Sequence, residues 1–335
     1  MIPHLDIPVS EQSQVGEARR AASRLAIDHD LDETAVGRVS IIVTELGNNL
    51  WRHATKGRLL VGCRKTAEGC QLEVVSIDSG PGMDVARCLR DGYSSGGTPG
   101  TGLGAVRRLS TEFSVFSAPD KGTVILSRTW VPSPAASRAP GPPAQFAYAG
   151  ICLAATGETV SGDAWDIRIK GGKAAMIVAD GLGHGPVAAE ASAEALNVFA
   201  SATGTPSAIL ERAHPLMRST RGAAVSVAEV DVDAGTVVYA GAGNICGRMI
   251  SGIEDRSLMS QHGTLGVAIR RLRDVTCPWP EHSIVVLHSD GLLTRWNLKD
   301  VGGLLQCDPG VVAGWLLRDF TRGHDDVTIV VLKRG

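Results

Sequence analysis

The sequence predicts an α/β protein of two domains, and three features of its patterning lead to that prediction. A segment rich in proline, alanine and glycine interrupts the chain at residues 132–145. Before this segment, two long amphipathic helical patterns are followed by strand-like runs and a glycine-rich loop. After it, short apolar runs dominate, and two of them lead directly into Asp-Gly. At 335 residues the chain is long enough to form two hydrophobic cores.

The proline-rich segment reads Pro132-Ser-Pro-Ala-Ala-Ser-Arg-Ala-Pro-Gly-Pro-Pro143 and shows no apolar periodicity. Its prolines cannot donate main-chain hydrogen bonds to a helix or a sheet. Such a composition is typical of a semi-rigid, extended spacer between folded units. We therefore predict a first domain at residues 1–131, a linker at 132–145 and a second domain at 146–335.

Composition and charge limit the classes of partner. The formal net charge is -2 and aromatic residues make up 4% of the chain, which argues against binding to nucleic acid or an anionic membrane. No stretch approaches the ~20 apolar residues of a membrane span, and the first residues do not resemble a signal peptide. The seven cysteines are scattered singly, so we expect neither a zinc site nor a disulfide framework. These features together predict a cytoplasmic location.

Three polar elements of the first half are candidates for a ligand site. Glu45 and Asn49 share one edge of the second predicted helix, where they form either a plain polar border or a functional edge. Asp78 ends a predicted strand at 71–77 and precedes a glycine turn, which is either an ordinary turn or a ligand contact. The glycine-rich loop at 92–104 opens a further helix and could hold an anion, although many such loops are flexible linkers.

The order of these three elements resembles the GHKL (Bergerat) ATP-binding fold, an α/β sandwich, over residues 8–131. The run from Asp91 to Phe113 is similar to that of the RsbT-type switch kinases of bacterial stressosomes. The resemblance implies that Asn49 helps to hold Mg²⁺ on ATP, that Glu45 is the base, and that Asp78 reads adenine. It also implies a pocket and lid formed by Gly80, Gly82, Gly100, Gly102, Leu103 and Gly104. The alternative is an ATP-binding anti-sigma factor without turnover.

Aspartates mark the second half, where they follow or precede predicted buried strands. Asp180 and Asp290 each follow an apolar run, Asp325 leads the last strand, and Asp163 lies in a glycine turn. Carboxylates gathered at strand ends repel each other unless a cation neutralises them. Hard oxygen ligands suit Mg²⁺ or Mn²⁺, and two such ions can hold a hydroxide and a phosphoryl oxygen. For any one Asp-Gly, a simple turn is the alternative.

The set resembles the PP2C-like phosphatase fold, a β-sandwich flanked by helices, in its SpoIIE/RsbX branch over about residues 146–333. The resemblance implies that Asp180 bridges two ions, Mn²⁺ or Mg²⁺, and that the Gly181 carbonyl adds a ligand. Asp290 and Asp325 would bind one ion, and Asp163 would serve the other, directly or through water.

Three further residues of this half carry expectations of their own. Asp326 ranks below Asp325 as a ligand, and His184 is expected either as loop structure or in contact with a metal ligand. Arg221 either meets phosphate or is a plain surface residue. The family's Gly-Gly-Asp is Ser161-Gly-Asp in this sequence, which is a departure from the pattern.

Together the resemblances imply a bifunctional signalling enzyme. Its first half would phosphorylate Ser or Thr of an antagonist protein of the STAS type, or another stressosome-type protein. Its second half would remove phosphate from the same or a related partner, and a sigma factor or an anti-sigma component would be a further partner. Two alternatives remain: a first half that only binds its partner, and a phosphatase gated by ATP occupancy.

Overall fold

The structure is a computed structural model that describes residues 3–66, 69–89, 102–133 and 145–335. The chain divides into two compact units between residues 140 and 141, inside the proline-rich segment. The domain bounds 1–131 and 146–335 remain a prediction, because residues 134–144 lie outside the described ranges. Within those ranges, no helix has the length and apolar character to cross a membrane.

The first unit is one antiparallel sheet covered by helices. Its strands are β1 (Leu5–Pro8), β2 (Arg58–Thr66), β3 (Gly69–Asp78), β4 (Glu112–Ala118) and β5 (Gly122–Pro132). Its helices are α1 (Gln12–Asp28), α2 (Glu33–His53), α3 (Val85–Cys88) and α4 (Gly102–Leu109). The strands lie in the order β1-β2-β3-β5-β4.

Helix α2 is the central element of this unit. Asp32 caps its N-terminus by accepting a hydrogen bond from the Ala35 N–H at 2.7 Å. That stripe packs with the apolar face of α1 on one side of the sheet. Gly47 lets the two helices approach closely, because a Cβ atom there would lie 3.0 Å from a Val15 methyl group. The register of α1 and α2 on the sheet is thus fixed by packing.

A row of charged side chains crosses the same sheet. Glu73, Arg128 and Glu112 stand opposite one another on β3, β5 and β4. The Arg128 guanidinium donates to Glu73 at 2.6 Å and to Glu112 at 2.9 Å. Burial alone would raise the pKa of Glu73, but the Arg128 charge and His4 outweigh it and lower that pKa to about 2. The buried carboxylate is therefore ionised and depends on its arginine.

The second unit is a β-sandwich with helices on both outer faces. One sheet contains β7 (Asp163–Lys170), β8 (Lys173–Gly181), β9 (Ala223–Asp231), β10 (Thr236–Ala242) and β15 (Val275–Pro278). The other contains β6 (Phe146–Leu153), β11 (Cys246–Ile250), β12 (Asp255–Leu258), β16 (Ile284–His288) and β17 (Val327–Arg334). A short hairpin joins β13 (Gly263–Thr264) and β14 (Ala268–Ile269). The helices are α5 (Gly185–Ser201), α6 (Pro206–Leu216) and α7 (Pro309–Phe320).

Two apolar layers hold this unit together. The first fills the space between the sheets, whose strand orders are β15-β10-β9-β8-β7 and β12-β11-β16-β17-β6. The second lies between the β7–β10 sheet and helices α5 and α6, while α7 covers β6 and β17. Trp165 fits between the sheets because β6 has Gly150 opposite its ring, where any side chain would collide with the indole. Close sheet packing thus requires glycine at that position.

The structure confirms the predicted fold class: an α/β sandwich followed by a helix-flanked β-sandwich. Strand β1 and the short strands β12–β15 were not predicted from the sequence. These segments are only two to four residues long, so they offer too few alternations for a periodic signal. The seven cysteines are all free, as their spacing predicts.

We expect Glu73→Gln to lower the free energy of unfolding of the full chain by about 3 kcal/mol at neutral pH. The pKa of Glu73 is about 2 in the folded state against an ordinary 4.5, so its stabilisation is present above pH 4.5. In the wild type it should be lost as the pH falls from about 4.5 to about 2. Urea unfolding at pH 7 and pH 3 measures both effects.

Glu112→Gln is the matched control, because this carboxylate binds the same arginine but is half exposed. It should cost less than about 1 kcal/mol. Equal losses in the two variants would contradict a special role for the buried Glu73 carboxylate.

Candidate functional site

The first candidate site lies on α2, where two polar side chains border the buried apolar stripe. Glu45 and Asn49 are one helical turn apart, and both are half-buried. Gly102 opens α4 beside them. A Cβ atom built on Gly102 would lie 3.0 Å from Glu45 Oε2 and 3.9 Å from Asn49 Oδ1. Three residues that the sequence predicts for one site are therefore neighbours, and a carboxylate and an amide face the start of a helix.

The Asp78 turn lies at the C-terminal end of α2. Asp78 Oδ1 accepts a hydrogen bond from the Gly80 N–H at 2.7 Å. A Cβ atom on Gly80 would lie 3.3 Å from the His53 carbonyl oxygen, so the turn packs on the last turn of α2. Gly82 has φ +76°, and a side chain there would collide with the carbonyl at the end of β4. The turn requires glycine at 82, for both backbone and steric reasons.

The predicted lid is described only at its C-terminal end. Leu103 is buried in the apolar core of the first unit and anchors α4 there. Gly104 is half-buried on the same helix. Gly100 lies outside the described residues, together with the rest of the glycine-rich loop at 90–101.

The second candidate site begins with two aspartates that face each other across neighbouring strands. Asp163 opens β7 and is paired directly with Asp180 near the end of β8. Burial raises the pKa of Asp163 well above its ordinary value, and the Asp180 charge raises it further. Burial likewise raises the pKa of Asp180 to about 7, with added repulsion from Asp290, Asp325 and Asp326.

The other sheet supplies the remaining aspartates. Asp290 lies two residues after β16, and Asp325 lies two residues before β17, which pairs with β16. Ser289, next to Asp290, contacts Asp163 of the other sheet, and the Asp290 and Asp325 charges act on Asp180, so carboxylates from both sheets lie near one another. The sequence-predicted residues Asp163, Asp180, Asp290 and Asp325 are thus brought together from two sheets.

Asp326 has a different environment from its neighbour. Its carboxylate is buried and accepts main-chain hydrogen bonds from the Ala155 and Gly162 N–H groups, each at 2.8 Å. Asp325 is exposed. Asp326 therefore fastens the β6–β7 connection, and both of its oxygens are already used by the protein.

Two polar residues at this centre escape sequence reasoning. Ser289 is fully buried, and its hydroxyl donates to Asp163 Oδ2 at 2.6 Å while accepting from the Thr328 N–H at 2.9 Å. Asn244 Nδ2 donates to Asp290 Oδ2 at 2.7 Å. Each side chain fixes one oxygen of a cluster carboxylate. Ser289 adjoins Asp290 in sequence, which is the signal that could have drawn attention to it.

A buried histidine also adjoins the cluster, but both of its ring nitrogens are occupied. His288 Nε2 accepts a hydrogen bond from Trp296 Nε1 at 3.0 Å, and Nδ1 donates to the Ser289 carbonyl at 2.8 Å. Burial lowers the pKa of His288 to about 4. A neutral ring with both nitrogens bonded holds the end of β16 in place and is not available as a ligand.

The loop after Asp180 is fixed by close contacts. A side chain on Gly181 would collide with the Ala188 carbonyl, so β8 passes directly beneath α5. His184 Nδ1 lies 2.9 Å from Glu158 Oε1 at the surface. The Arg221 guanidinium reaches the same loop, because Arg221 Nη1 would lie 3.2 Å from a Cβ atom on Gly183. His184 thus precedes α5 and contacts Glu158 at the surface.

The donor set of this centre fits hard divalent cations. Carboxylate oxygens predominate, and burial together with neighbouring carboxylates raises the pKa values of Asp163 and Asp180, which a bound cation would reverse. Among the described residues, no three Asp, Glu, His or Cys side chains are gathered closely enough to hold one ion by themselves. Water and main-chain carbonyl oxygens would have to complete the coordination, as is usual for Mg²⁺.

Comparisons with known proteins divide the chain in the same way. Residues 9–128 match the family model for the histidine kinase-like ATPase domain, and residues 170–335 match that for stage II sporulation protein E, SpoIIE. These matches confirm the two resemblances that the motifs predict.

Two curated relatives come from Bacillus subtilis (strain 168). The serine/threonine-protein kinase RsbT is 31% identical over 117 residues, which is 34% of this chain and 86% of the relative. The phosphoserine phosphatase RsbX is 26% identical over 182 residues, which is 52% of this chain and 88% of the relative. A solved structure described as "The bacterial stressosome: a modular system that has been adapted to control secondary messenger signaling" is 26% identical. It has a TM-score of 0.53 and covers 56% of this chain and 99% of its own.

We expect Asp326→Ala to lower the free energy of unfolding by about 2–4 kcal/mol, because two buried N–H groups lose their acceptor. Asp325→Ala should cost less than about 1 kcal/mol, since its side chain is exposed. Asp325→Ala should instead weaken the binding of Mn²⁺. Thermal unfolding and titration calorimetry with Mn²⁺ separate the two effects, and the opposite pattern would exchange the roles of the two aspartates.

Proposed function

We propose a bifunctional signalling enzyme, on the premise that this chain joins a member of the histidine kinase-like ATPase domain family to a PP2C-like member of the SpoIIE family. Its first half uses ATP to phosphorylate Ser or Thr of a partner protein. Its second half removes phosphate from phosphoserine or phosphothreonine. The observation that carries the proposal is the meeting of Asp163 and Asp180 from one sheet with Asp290 and Asp325 from the other.

The phosphatase half acts through this carboxylate centre. Two Mg²⁺ or Mn²⁺ ions would be held by Asp180, the Gly181 carbonyl, Asp163, Asp290 and Asp325. Such ions supply a hydroxide at neutral pH and stabilise charge on the phosphoryl oxygens. Ser289 and Asn244 keep the carboxylates of Asp163 and Asp290 oriented. Asp326 keeps the β6–β7 connection, and with it Asp163, in place.

The kinase half acts through the edge of α2. Asn49 would contribute its amide oxygen to Mg²⁺ on the triphosphate, and Glu45 would accept the proton of the attacking hydroxyl. Asp78 would accept a hydrogen bond from the adenine amino group. The pocket and lid would be formed by Gly80, Gly82, Gly100, Gly102, Leu103 and Gly104. The contact of Gly102 with Glu45 and Asn49 supports this arrangement, because the start of α4 then faces both polar groups.

The partner is proposed to be an antagonist protein of the STAS type or another stressosome-type protein. The support is that one chain resembles both the kinase RsbT and the phosphoserine phosphatase RsbX. It also resembles a solved structure whose description names the bacterial stressosome. A sigma factor or an anti-sigma component would act further along such a partner-switching pathway. One chain with both activities would set the phosphorylated fraction of one partner.

The test follows ³²P label from ATP onto a purified STAS-domain partner, with Mg²⁺ and Mn²⁺ present. Asp180→Asn should let label accumulate, because phosphate is added but not removed. Glu45→Gln should lower the rate of labelling by about 10²–10⁴-fold while ATP affinity stays unchanged. Label that rises and then decays in the wild type, but only rises in Asp180→Asn, would support both activities on one substrate.

Two matched controls keep the test specific. Asp233→Asn removes an exposed carboxylate from the turn after β9. The opposite end of β9 pairs with Gly181, so this carboxylate lies at the end of the strand away from the centre. Glu17→Gln makes the same change as Glu45→Gln on the exposed face of α1. Both should behave as wild type. Absence of label in every variant, with loss of phosphate from pre-phosphorylated partner, would leave a phosphatase with an ATP-binding module.

A further inference from the structure

Beside the carboxylate centre lies a surface of large apolar side chains that the proposed chemistry does not use. Leu182, in the loop after Asp180, is 47% exposed. Leu216, at the end of α6, is 53% exposed, and Val267, in the β13–β14 hairpin, is 61% exposed. We call these three residues the apolar patch. Exposed apolar groups that cluster on a folded surface are typical of interaction sites.

The contacts of Gly222 bring the three chain segments of the patch together. The Leu182 N–H donates to the Gly222 carbonyl at 3.0 Å. A Cβ atom on Gly222 would lie 2.8 Å from a Val267 methyl group. A Cβ atom on Gly266 would lie 2.7 Å from the carbonyl of Met217, which follows Leu216. Three separate chain segments therefore meet at Gly222, and each presents one exposed apolar side chain.

Two arginines flank the patch. Arg221 precedes the glycine at the meeting point and reaches Gly183 of the loop after Asp180. Arg218 lies in the short 3₁₀ turn after Leu216. Both are exposed, and neither makes a side-chain hydrogen bond or ion pair with any of the residues that the structure describes. Arg221 thus lies beside the loop that carries Leu182, and Arg218 lies beside Leu216, so each guanidinium group borders one part of the patch.

We propose that the apolar patch docks the segment of the protein substrate that surrounds its phosphorylated serine or threonine. The inference rests on the proposed phosphatase function and specifies its substrate: apolar side chains beside the phosphorylated residue, with acidic groups further out. The apolar side chains would be buried on Leu182, Leu216 and Val267. Arg218 and Arg221 would pair with the phosphate or the acidic groups, since guanidinium binds both in a bidentate way.

The complementarity with the centre favours this occupant. A phosphate would be drawn to a centre that holds divalent cations. The exposed guanidinium groups of Arg218 and Arg221 beside the patch place positive charge where acidic groups of the same segment would lie. Apolar burial then supplies affinity that does not depend on the phosphate itself.

Three probes test the inference with the full chain and Mn²⁺. Two are phosphoserine peptides of equal length with acidic ends, one with Leu and Val beside the phosphoserine and one with Asn and Ser there. The third is para-nitrophenyl phosphate, which is too small to reach the patch. We expect the wild type to prefer the apolar peptide by about tenfold in kcat/KM, as burial of one or two small apolar groups allows.

The double variant Leu182→Ser/Val267→Ser should lose this preference, while its kcat/KM for para-nitrophenyl phosphate stays at the wild-type value. Ile253→Ser is the matched control: Ile253 is 98% exposed, in the β11–β12 turn at the other end of β11 from Asn244. It should keep the full preference. Equal rates on the two peptides in the wild type, or a preference that survives in the double variant, would overturn the docking role.

The same experiment separates this inference from the proposed function. Hydrolysis of para-nitrophenyl phosphate without any peptide preference would retain the phosphatase and remove the docking surface. No Mn²⁺-dependent hydrolysis of any of the three probes would overturn the phosphatase function, and the docking inference with it.

Discussion

Electrostatic repulsion among the buried carboxylates of the second unit is the constraint on which the rest of that unit depends. Asp163 and Asp180 face each other with little solvent, and Asp290 and Asp325 add like charge from the other sheet. Left to themselves, such groups would separate or bind protons. The sandwich resists separation with hydrogen-bonded strand register and two apolar layers. The centre is therefore held in a state that favours a cation, and the stability of the sandwich offsets the repulsion.

The polar groups around the centre divide the work between position and chemistry. Asp326 accepts two main-chain hydrogen bonds and fixes a loop, while the adjacent Asp325 stays exposed. Ser289 joins the end of β16 to Asp163 in the opposite sheet, so a shift of one sheet against the other would break a buried hydrogen bond. The Arg128 row plays a comparable role in the first unit, where one guanidinium fixes three strands. In both units a buried polar contact specifies strand register that apolar packing alone would leave looser.

Sequence reasoning reached the parts of the molecule that local patterns determine. The apolar stripe of α2 and the aspartates beside apolar strands are both local signals. Asn244 and Ser289 were missed because their partners are 46 and 126 residues away, and no local pattern encodes such a contact. The family resemblance ranked Asp326 below Asp325, but the physical reason is not local, since the two amides that Asp326 binds lie more than 160 residues earlier. The contact of Gly102 with Glu45 likewise depends on how α4 packs, which composition does not specify.

The proposed pairing of two opposed activities on one chain has a consequence for their control. A partner bound by one half is tethered to the other half through the chain, so one binding event raises the effective concentration for both reactions. Their ratio then decides the phosphorylated fraction, and the total amount of enzyme cancels. Docking at the apolar patch would shift that ratio, because it strengthens only the hydrolytic reaction. A regulator that covers Leu182 or Val267 would therefore raise the phosphorylated fraction of the partner without touching a catalytic residue. Occupancy of the nucleotide site would change the same fraction through the rate of the kinase reaction.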